Sequence, residues 1–317
     1  MYLRLLSSFY VPCMEVIFAI SLLTANHLDA NQEEGYMDLW EAESYDENTQ
    51  LQYAIASNFL TLLQEKYSLS SNAIVLDIGC GNGRITSSIL EKYPHVQILG
   101  IDSSVDMIRF ASQHFANGQM QFVVDRAEEL KTVQPQSVDA IMSFSCLHWV
   151  MDQKSAYQSM YKALKPEGWM GLMFAAQTES DDPLDHAYAQ AIHEDPWQEY
   201  FFCDTTEVDW NFAKPEQIER ELKESGFEVI YIGTQDFEHQ FENVDRFKNW
   251  VLACAQQLKL LPVELRESCA ERIASLYLQA TNFQPKSGEC IYRFDPFMVI
   301  AKKSRPANCE PILLKSD

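Results

Sequence analysis

The hydrophobic positions of this chain follow two alternating periods between residues 50 and 176. Short continuous apolar runs, several of them closed by Gly or Asp, are typical of strands buried on both faces. Between these runs, apolar residues recur at helical spacing. Such alternation predicts a parallel sheet with right-handed crossovers and helices on both faces. The predicted strands are 73–79, 96–102, 120–125, 138–144 and 169–176, and the predicted helices are 51–67, 84–94, 104–115 and 154–168.

The pattern loosens in the C-terminal half. The acidic stretch 181–202 predicts helix without a partner strand, and 214–233 returns to a helix, a glycine and a strand. Two helices broken at Pro262 are predicted within 244–280, and 289–303 predicts a long alternating strand or a hairpin. No stretch is rich in Gly and Ser, as a flexible linker would be, so the pattern favours one domain with inserted helices.

This domain is predicted to span 37–304, between an N-terminal extension, 1–36, and a C-terminal tail, 305–317. Helices inserted around a sheet commonly form a lid over its ligand crevice, and we expect this of the insertions at about 180–225 and 240–282. Both insertions contain aromatic segments, which favour an apolar pocket for a small molecule beneath the lid.

The N-terminal extension contains a short apolar run, residues 16–23, close to small residues. A secretory signal has this composition, so export is one interpretation. Pro12 and Glu15 interrupt the apolar region, which favours a plain extension instead. The run is too short to span a bilayer, and no stable membrane span is predicted.

Composition narrows the class of protein. The chain has 317 residues, 47% hydrophobic and 12% aromatic, which is enough to bury a substantial core. Its 24 Lys and Arg stand against 46 Asp and Glu, and the net charge of −22 repels phosphate backbones, so no nucleic-acid partner is expected. The eight cysteines occur singly and without metal-ligand spacing, which predicts reduced thiols, a cytoplasmic location and no metal site.

A glycine-rich loop follows the first predicted strand. Gly79, Gly81 and Gly83 permit a tight turn and close backbone approach to a ligand at the start of a helix. A dinucleotide loop would place its third glycine at position 84, where this chain has Arg84. Asp77, at the strand end, would repel a pyrophosphate but suits a cation. The loop D-x-G-x-G-x-G therefore predicts S-adenosylmethionine, which carries a sulfonium and an amino group.

Two further carboxylates close the next two strands. Asp102 follows Gly83 by 19 residues and is placed to accept both hydroxyl groups of a ribose. Asp125 ends the third strand, where it can accept from the amino group of an adenine. Because the carboxyl ends of parallel strands share one edge of a sheet, the acids of the first three strands predict one cofactor site.

Five motifs follow one another within about residues 45–176, namely IVLDIGCGNGRIT, GIDSSVDMI, QFVVDRAEEL, VDAIMSFSCLHWV and LKPEGWM. Together they resemble the motifs of class I S-adenosylmethionine-dependent methyltransferases. Within that family, SFSCLHWVMDQKSAY is similar to the juvenile hormone acid, trans-aconitate and malonyl-carrier-protein methyltransferases, which form methyl esters of carboxylates. The upstream segment YDENTQLQ resembles their substrate-facing N-terminal helix, in which a Tyr and a Gln recur.

The resemblance implies an α/β fold with a seven-stranded, mostly parallel, doubly wound (Rossmann-like) sheet and helical lid insertions. The last strand, 297–303, would be antiparallel. The resemblance also implies roles for the motif residues. The methionine part of the cofactor would lie at Asp77, Gly79, Cys80, Gly81 and Gly83, and the adenosine would lie at Asp102, Ser103 and Met107. The adenine would lie beside Asp125, Arg126 and Ala127, and Ser143 and Leu147 would line the methyl-transfer side.

The fourth predicted strand ends in a bulky indole, Trp149, that a core strand does not need. In the family fold this end lies beside the reactive methyl group, so Trp149 would face the acceptor, and its indole N–H can only donate. The resemblance gives the same role to Gln52 on the N-terminal helix, with Gln50 as the alternative register. His148 either packs on the strand end or serves as a base.

These features lead to a functional expectation. Donors aimed at the acceptor suit a carboxylate, which is ionised at neutral pH and needs no base, whereas an amine or hydroxyl acceptor would need one. We expect a monomer or homodimer that methylates a small organic acid with S-adenosylmethionine. N- or O-methylation with His148 as base is the alternative. Two alternatives from other functional classes are a nucleotide-binding dehydrogenase and a non-catalytic binding module. Asp77 and Arg84 disfavour the dehydrogenase.

Overall fold

The computed structural model of the chain describes residues 40–178, 182–201, 211–281 and 290–304. The predicted N-terminal extension, 1–36, and C-terminal tail, 305–317, lie outside the described residues. Part of the first predicted insertion, 202–210, lies outside them as well. Among the helices that are described, none is long and apolar enough to cross a membrane.

A seven-stranded sheet forms the centre of the described residues. Its strands are β1 (Ile74–Ile78), β2 (Gln97–Asp102), β3 (Met120–Val124), β4 (Val138–Phe144), β5 (Leu164–Phe174), β6 (Phe227–Thr234) and β9 (Phe297–Lys303), while β7 (Phe237–Phe241) and β8 (Cys290–Phe294) form a separate antiparallel pair. The order is β3-β2-β1-β4-β5-β9-β6, and β9 is antiparallel to both of its neighbours. The predicted doubly wound sheet with an antiparallel last strand is confirmed.

Helices cover both faces of this sheet. They are α1 (Ala42–Asn48), α2 (Gln50–Lys66), α3 (Arg84–Lys92), α4 (Val105–His114), α5 (Gln153–Ala163), α6 (Pro183–Ala191), α7 (Gln198–Phe201), α8 (Pro215–Glu224), α9 (Val244–Cys254) and α10 (Val263–Ala280), with 3₁₀ turns at Leu147–Trp149 and Gln256–Leu260. Val75 of β1 joins the core under α2, and its neighbour Leu76 joins the core under α5 and α8. Burial on both faces explains why the strands are continuous apolar runs.

The C-terminal helices surround a cluster of aromatic side chains. Helix α10 packs against both α6 and α9. Between ring centroids, Phe247 of α9 lies 5.1 Å from Tyr277 of α10, and Trp250 of α9 lies 5.2 Å from Tyr292 of β8. These rings belong to the same core as α2 and one face of the main sheet. The C-terminal helices are therefore anchored to the sheet by apolar packing.

Two sequence-based boundaries are wrong. Residues 289–303 form neither one long strand nor a hairpin, because β8 pairs with β7 while β9 pairs within the main sheet. Pro296 stands between them, and proline has no N–H to donate to a strand ladder. The helix predicted over 154–168 ends at Ala163, and β5 begins directly at Leu164.

Gly171 of β5 packs against Leu63 of α2. A Cβ at residue 171 would lie 2.7 Å from Leu63 Cδ1, and Leu63 is fully buried. We expect Gly171→Ala to destabilise the fold by about 1–3 kcal/mol through overpacking, and Leu63→Ala by about 2–5 kcal/mol through a cavity. In the double variant the new methyl group has room where the Leu63 side chain was. The loss in free energy of unfolding, measured with urea, should therefore be smaller than the sum of the two single losses. Strictly additive costs would contradict this contact.

Candidate active site

The glycine loop after β1 has backbone conformations that favour glycine. Gly79, Gly81 and Gly83 have φ angles of 70°, 53° and 85°. At Gly79, a Cβ would lie 2.3 Å from both Cβ and Sγ of Cys146, in the loop after β4. The ends of β1 and β4 therefore approach each other across Gly79. Burial raises the pKa of the Cys146 thiol, so Cys146 fills space there as a neutral group.

Gly81 is the point at which this loop is open. Apart from Gly81 itself and its two chain neighbours, no heavy atom of the described residues lies within 4 Å of the position that a Cβ would take there. The Gly81 N–H donates to Asp102 Oδ2 at 2.9 Å, and the Ser104 N–H donates to Asp102 Oδ1 at 2.9 Å. The carboxylate at the end of β2 is thus fixed beside accessible backbone, an arrangement that fits a ligand carrying ribose hydroxyl groups.

Asp77 is the buried acid of the site. It is 1% exposed, and Thr86 Oγ1 donates to its Oδ2 at 2.6 Å. Burial, opposed by the Thr86 hydrogen bond and reinforced by the charge of Asp102, raises the pKa of Asp77 to about 7. A nearby cation would stabilise the ionised form of such a group. The residues of this edge therefore fit the charge of S-adenosylmethionine as well as its hydroxyl groups.

The Asp125 carboxylate is bound by the turn that follows β3. Its Oδ1 accepts from the N–H groups of Arg126 and Lys131 at 2.8 and 3.2 Å, and its Oδ2 accepts from N and Oγ1 of Thr132 at 2.7 and 2.6 Å. A carboxylate has about four lone-pair positions, and these four donors fill them. Asp125 therefore holds the turn after β3, and a hydrogen bond from an adenine amino group to its side chain stays a prediction.

The two side chains predicted to line the methyl-transfer side are buried. Leu147 is 0% exposed and lies in the core under α5 and α8, and Ser143 is 1% exposed. Ser143 Oγ donates to Ile78 O at 2.8 Å, which ties the end of β4 to the end of β1. Core packing continues to the last turn of this strand end, and the place of these two residues on the methyl-transfer side stays a prediction.

The remaining predicted cofactor residues lie along the carboxyl ends of β1, β2 and β3. Cys80 follows β1, Ser103 follows β2, Met107 lies in the first turn of α4, and Arg126 and Ala127 follow β3. Cys80, Met107 and Ala127 are buried, Ser103 is half-buried and Arg126 is exposed. The fold thus brings these five residues to one edge of the sheet.

A row of aromatic rings leads from the end of β4 to α1. Trp149 meets Trp40 edge to face with centroids 5.5 Å apart, and Trp40 meets Tyr45 at 5.4 Å. Burial raises the pKa of the Tyr45 hydroxyl, and the nearby Cys254 and Asp102 add to this rise. Tyr45 therefore lies between the glycine-loop edge and α9. The predicted site residues do not include it, although the motif YDENTQLQ contains it.

Helix α1 is fastened to the glycine loop by polar contacts. Arg84 binds Asp46 through both carboxylate oxygens, with Nε–Oδ1 and Nη2–Oδ2 distances of 2.9 and 2.6 Å. Asn82 Nδ2 also donates to Asp46 Oδ1 at 2.7 Å. At the start of α1, the Ala42 N–H donates to Asp106 Oδ2 at 2.9 Å. Arg84, which distinguishes this loop from a dinucleotide loop, thus serves to hold α1 beside the site.

Gln52 and Gln50 have different surroundings. Trp250 Nε1 donates to Gln52 Oε1 at 3.0 Å, and Gln52 Nε2 donates to Cys254 Sγ at 2.9 Å. Gln50 is exposed and donates to the Glu47 carbonyl of its own chain segment at 2.8 Å. Since Cys254 is also near Tyr45, Gln52 is the glutamine that lies at the site. Its two partners, both on α9, have no counterpart among the predicted site residues.

His148 is held as a neutral ring. The Ala175 N–H donates to His148 Nδ1 at 3.4 Å, and the Asn211 N–H donates to its carbonyl oxygen at 2.8 Å. Burial lowers the pKa of His148 to about 4. A neutral imidazole that accepts at Nδ1 carries its proton on Nε2. The contact with Ala175 therefore favours the tautomer in which the second ring nitrogen is a hydrogen-bond donor, and the lowered pKa makes the ring a weak base.

Asp77→Asn tests the charge state of the buried acid. Because the folded-state pKa is about 7 against an ordinary value of 3.8, stability falls as the pH rises through this range. Asn cannot ionise and still accepts from Thr86. We expect the variant to be more stable than the wild type by roughly 4 kcal/mol at pH 8, with the difference shrinking towards pH 4. Thermal unfolding across this range measures it, and a pH-independent difference would contradict the raised pKa.

Comparison with known proteins agrees with this arrangement. A family model described as a methyltransferase domain matches residues 75–168. Over 190 residues the chain is 28% identical to juvenile hormone acid O-methyltransferase of Bombyx mori, covering 56% of this chain and 65% of that one, less than two thirds of its length. Over 232 residues it is 23% identical to trans-aconitate 2-methyltransferase of Rhodopseudomonas palustris, covering 72% of this chain and 87% of that one.

The fold is also similar to solved structures. The YcgJ protein of Bacillus subtilis matches with a TM-score of 0.55 and 16% identity, over 78% of this chain and 99% of that one. At this identity the likeness concerns the fold alone. The matched domain begins at β1 and contains the glycine loop and the strand ends described above. Residues 75–168 therefore match a methyltransferase domain, and the relatives and the fold support a class I S-adenosylmethionine-dependent methyltransferase.

Proposed function

We propose that this protein transfers the methyl group of S-adenosylmethionine to the carboxylate of a small organic acid. The observation that carries the proposal is the fixed amide of Gln52, whose oxygen accepts from Trp250 so that its N–H groups are turned away from that ring. An amide N–H is a suitable donor to a carboxylate oxygen. The relatives from Bombyx mori and Rhodopseudomonas palustris are both named for acidic acceptors, which supports the same substrate class.

We assign the cofactor to the edge formed by the ends of β1 and β2. Asp77 would balance positive charge, the backbone at Gly81 is accessible, and Asp102 would accept the ribose hydroxyl groups. When bound there, S-adenosylmethionine supplies an activated methyl group on a cationic sulfur. The contribution of Trp40 and Tyr45 is to cover this edge, which limits access of water to the reacting atoms.

The acceptor would lie between α1, α2 and the 3₁₀ turn after β4. Gln52, Tyr45 and Trp149 contribute donors from these three elements, and Cys254 connects two of them because it bonds Gln52 and lies near Tyr45. A carboxylate is already ionised at neutral pH, so no side chain has to remove a proton. The residues act by holding the attacking oxygen in line with the methyl group.

A panel of acceptors tests the reaction. With labelled S-adenosylmethionine, we expect the wild type to form base-labile methyl esters of one or more apolar organic acids. The amine and phenol analogues of the same acids should stay unlabelled, because the site offers donors rather than a base. Transfer only to amines or phenols would overturn the proposal.

Two glutamine variants test, in the same assay, whether Gln52 contributes to binding of the acid. We expect Gln52→Leu to raise the KM for the acid about ten-fold or more, because a charge-assisted hydrogen bond is lost, while binding of S-adenosylhomocysteine is retained. Gln50→Leu is the matched control on the exposed side of the same helix and should leave the KM within two-fold. Equal effects of both variants would contradict the role of Gln52.

His148→Asn separates this reaction from one that needs a general base. Asn can accept from the Ala175 N–H in place of Nδ1, and no proton has to be removed from a carboxylate. We therefore expect kcat to fall by less than about ten-fold, whereas loss of a general base costs about 100- to 10,000-fold. Calorimetry with S-adenosylhomocysteine checks that the variant still binds its cofactor product. A loss of 100-fold or more with intact binding would favour the alternative of base-assisted N- or O-methylation.

A further inference from the structure

We propose, on the basis of the function proposed above, that Trp250 is a positioning residue that sets the orientation of the Gln52 amide and thereby the preference for an acidic acceptor. Trp250 lies on α9, 198 residues from Gln52, and its Nε1 donates to Gln52 Oε1 at 3.0 Å. It acts through Gln52 and need not touch the acceptor itself.

The chemistry of the indole fixes one of two orientations. A glutamine amide can turn over so that its oxygen and nitrogen exchange places, and its surroundings decide between the two. The indole N–H donates and cannot accept. Only the oxygen of Gln52 can therefore face Trp250, and the nitrogen must point the other way. Trp250 thus makes Gln52 a donor towards the site.

The partner on the other side of the amide is weak. Gln52 Nε2 donates to Cys254 Sγ at 2.9 Å. Burial raises the pKa of Cys254 to about 12, so its sulfur belongs to a neutral thiol, which is a poor acceptor. Within the described part of the chain, Nε2 has no stronger acceptor. A carboxylate oxygen would therefore replace a weak hydrogen bond by a charge-assisted one.

Trp250 is itself held in place by other rings. Its indole is 7% exposed and lies 5.7 Å from Phe247, 5.6 Å from Phe241 and 5.2 Å from Tyr292, between centroids. Tyr292 is anchored in turn, since its hydroxyl donates to Asp182 Oδ2 at 2.7 Å. The indole cannot swing away from Gln52 without disturbing this packing, so the amide orientation is built into the fold.

The orientation of the Gln52 amide affects which class of acceptor the site prefers. An amine or phenol that loses a proton during methylation is aided by a hydrogen-bond acceptor, and Gln52 presents N–H groups instead. In a protein without the Trp250 N–H, the amide can turn over and present its oxygen to the acceptor. The consequence is a loss of carboxylate affinity without damage to the cofactor site.

The kinetic test compares Trp250→Phe with Trp197→Phe. Both indoles are 7% exposed and lie in the same core, but Trp197 Nε1 has no hydrogen-bond partner among the described residues. We expect Trp250→Phe to raise the KM for the acid about ten-fold with kcat within three-fold, since one hydrogen bond is lost from ground and transition states alike. Trp197→Phe should leave the KM within two-fold, and neither variant should change the affinity for S-adenosylhomocysteine. An unchanged KM in Trp250→Phe would overturn the proposal.

An isosteric substitution covers the case in which Trp250→Phe does not fold. Benzothienylalanine incorporated at position 250 keeps the shape of the fused ring but replaces the N–H by sulfur. It should reproduce the ten-fold rise in KM while the melting temperature stays near that of the wild type. A wild-type KM in this protein would refute the role of the N–H.

Nuclear magnetic resonance provides a test that does not depend on the acceptor. In Gln52→Leu, the indole N–H resonance of Trp250 should move upfield as its hydrogen bond is lost, while the resonance of Trp197 stays in place. If the wild type esterifies no acid, the proposed function fails, and this shift still decides whether Trp250 holds Gln52. An unchanged Trp250 resonance would rule out the positioning contact.

Discussion

The contact between the loops after β1 and β4 is the constraint on which the site depends. Gly79 has no Cβ, and one placed there would overlap Cys146. Because these loops touch, the 3₁₀ turn that carries His148 and Trp149 stands beside the glycine loop. The edge proposed for the cofactor and the side proposed for the acceptor are thereby joined by the contact of the Gly79 backbone with the Cys146 side chain, which helps to fix their separation.

The cover of this site comes from distant parts of the chain. Helix α1 is tied to the glycine loop through Asp46 and Arg84, and α9 is tied to α2 through Trp250 and Gln52. The contact with Asp46 explains why this chain has an arginine, Arg84, at a position where dinucleotide loops have glycine. The second connection, between Trp250 and Gln52, is the basis of our proposal that one core tryptophan affects acceptor choice. Both contacts join a covering helix to residues of the proposed site.

Local patterns in the sequence predict the sheet and the glycine loop because both depend on residues close together in the chain. The surroundings of Asp125 and Leu147 could not be predicted from the sequence, for a physical reason. A strand-end position shows where a side chain begins, but not whether neighbouring N–H groups or the core already engage it. The contact between Gln52 and Trp250 joins residues 198 positions apart, and no periodicity encodes it. The aromatic segment that contains Trp250 predicts only an apolar pocket for a small molecule beneath the inserted helices.

The position of β9 has a consequence for how the molecule is made. It is the last strand of the sheet along the chain, yet it lies between β5 and β6. On the ribosome, β5 and β6 must therefore wait for their shared neighbour until the residues that follow β6 have been synthesised as well. Until residues 297–303 emerge, both strands keep an unsatisfied edge, which is a template for wrong pairing in a nascent chain.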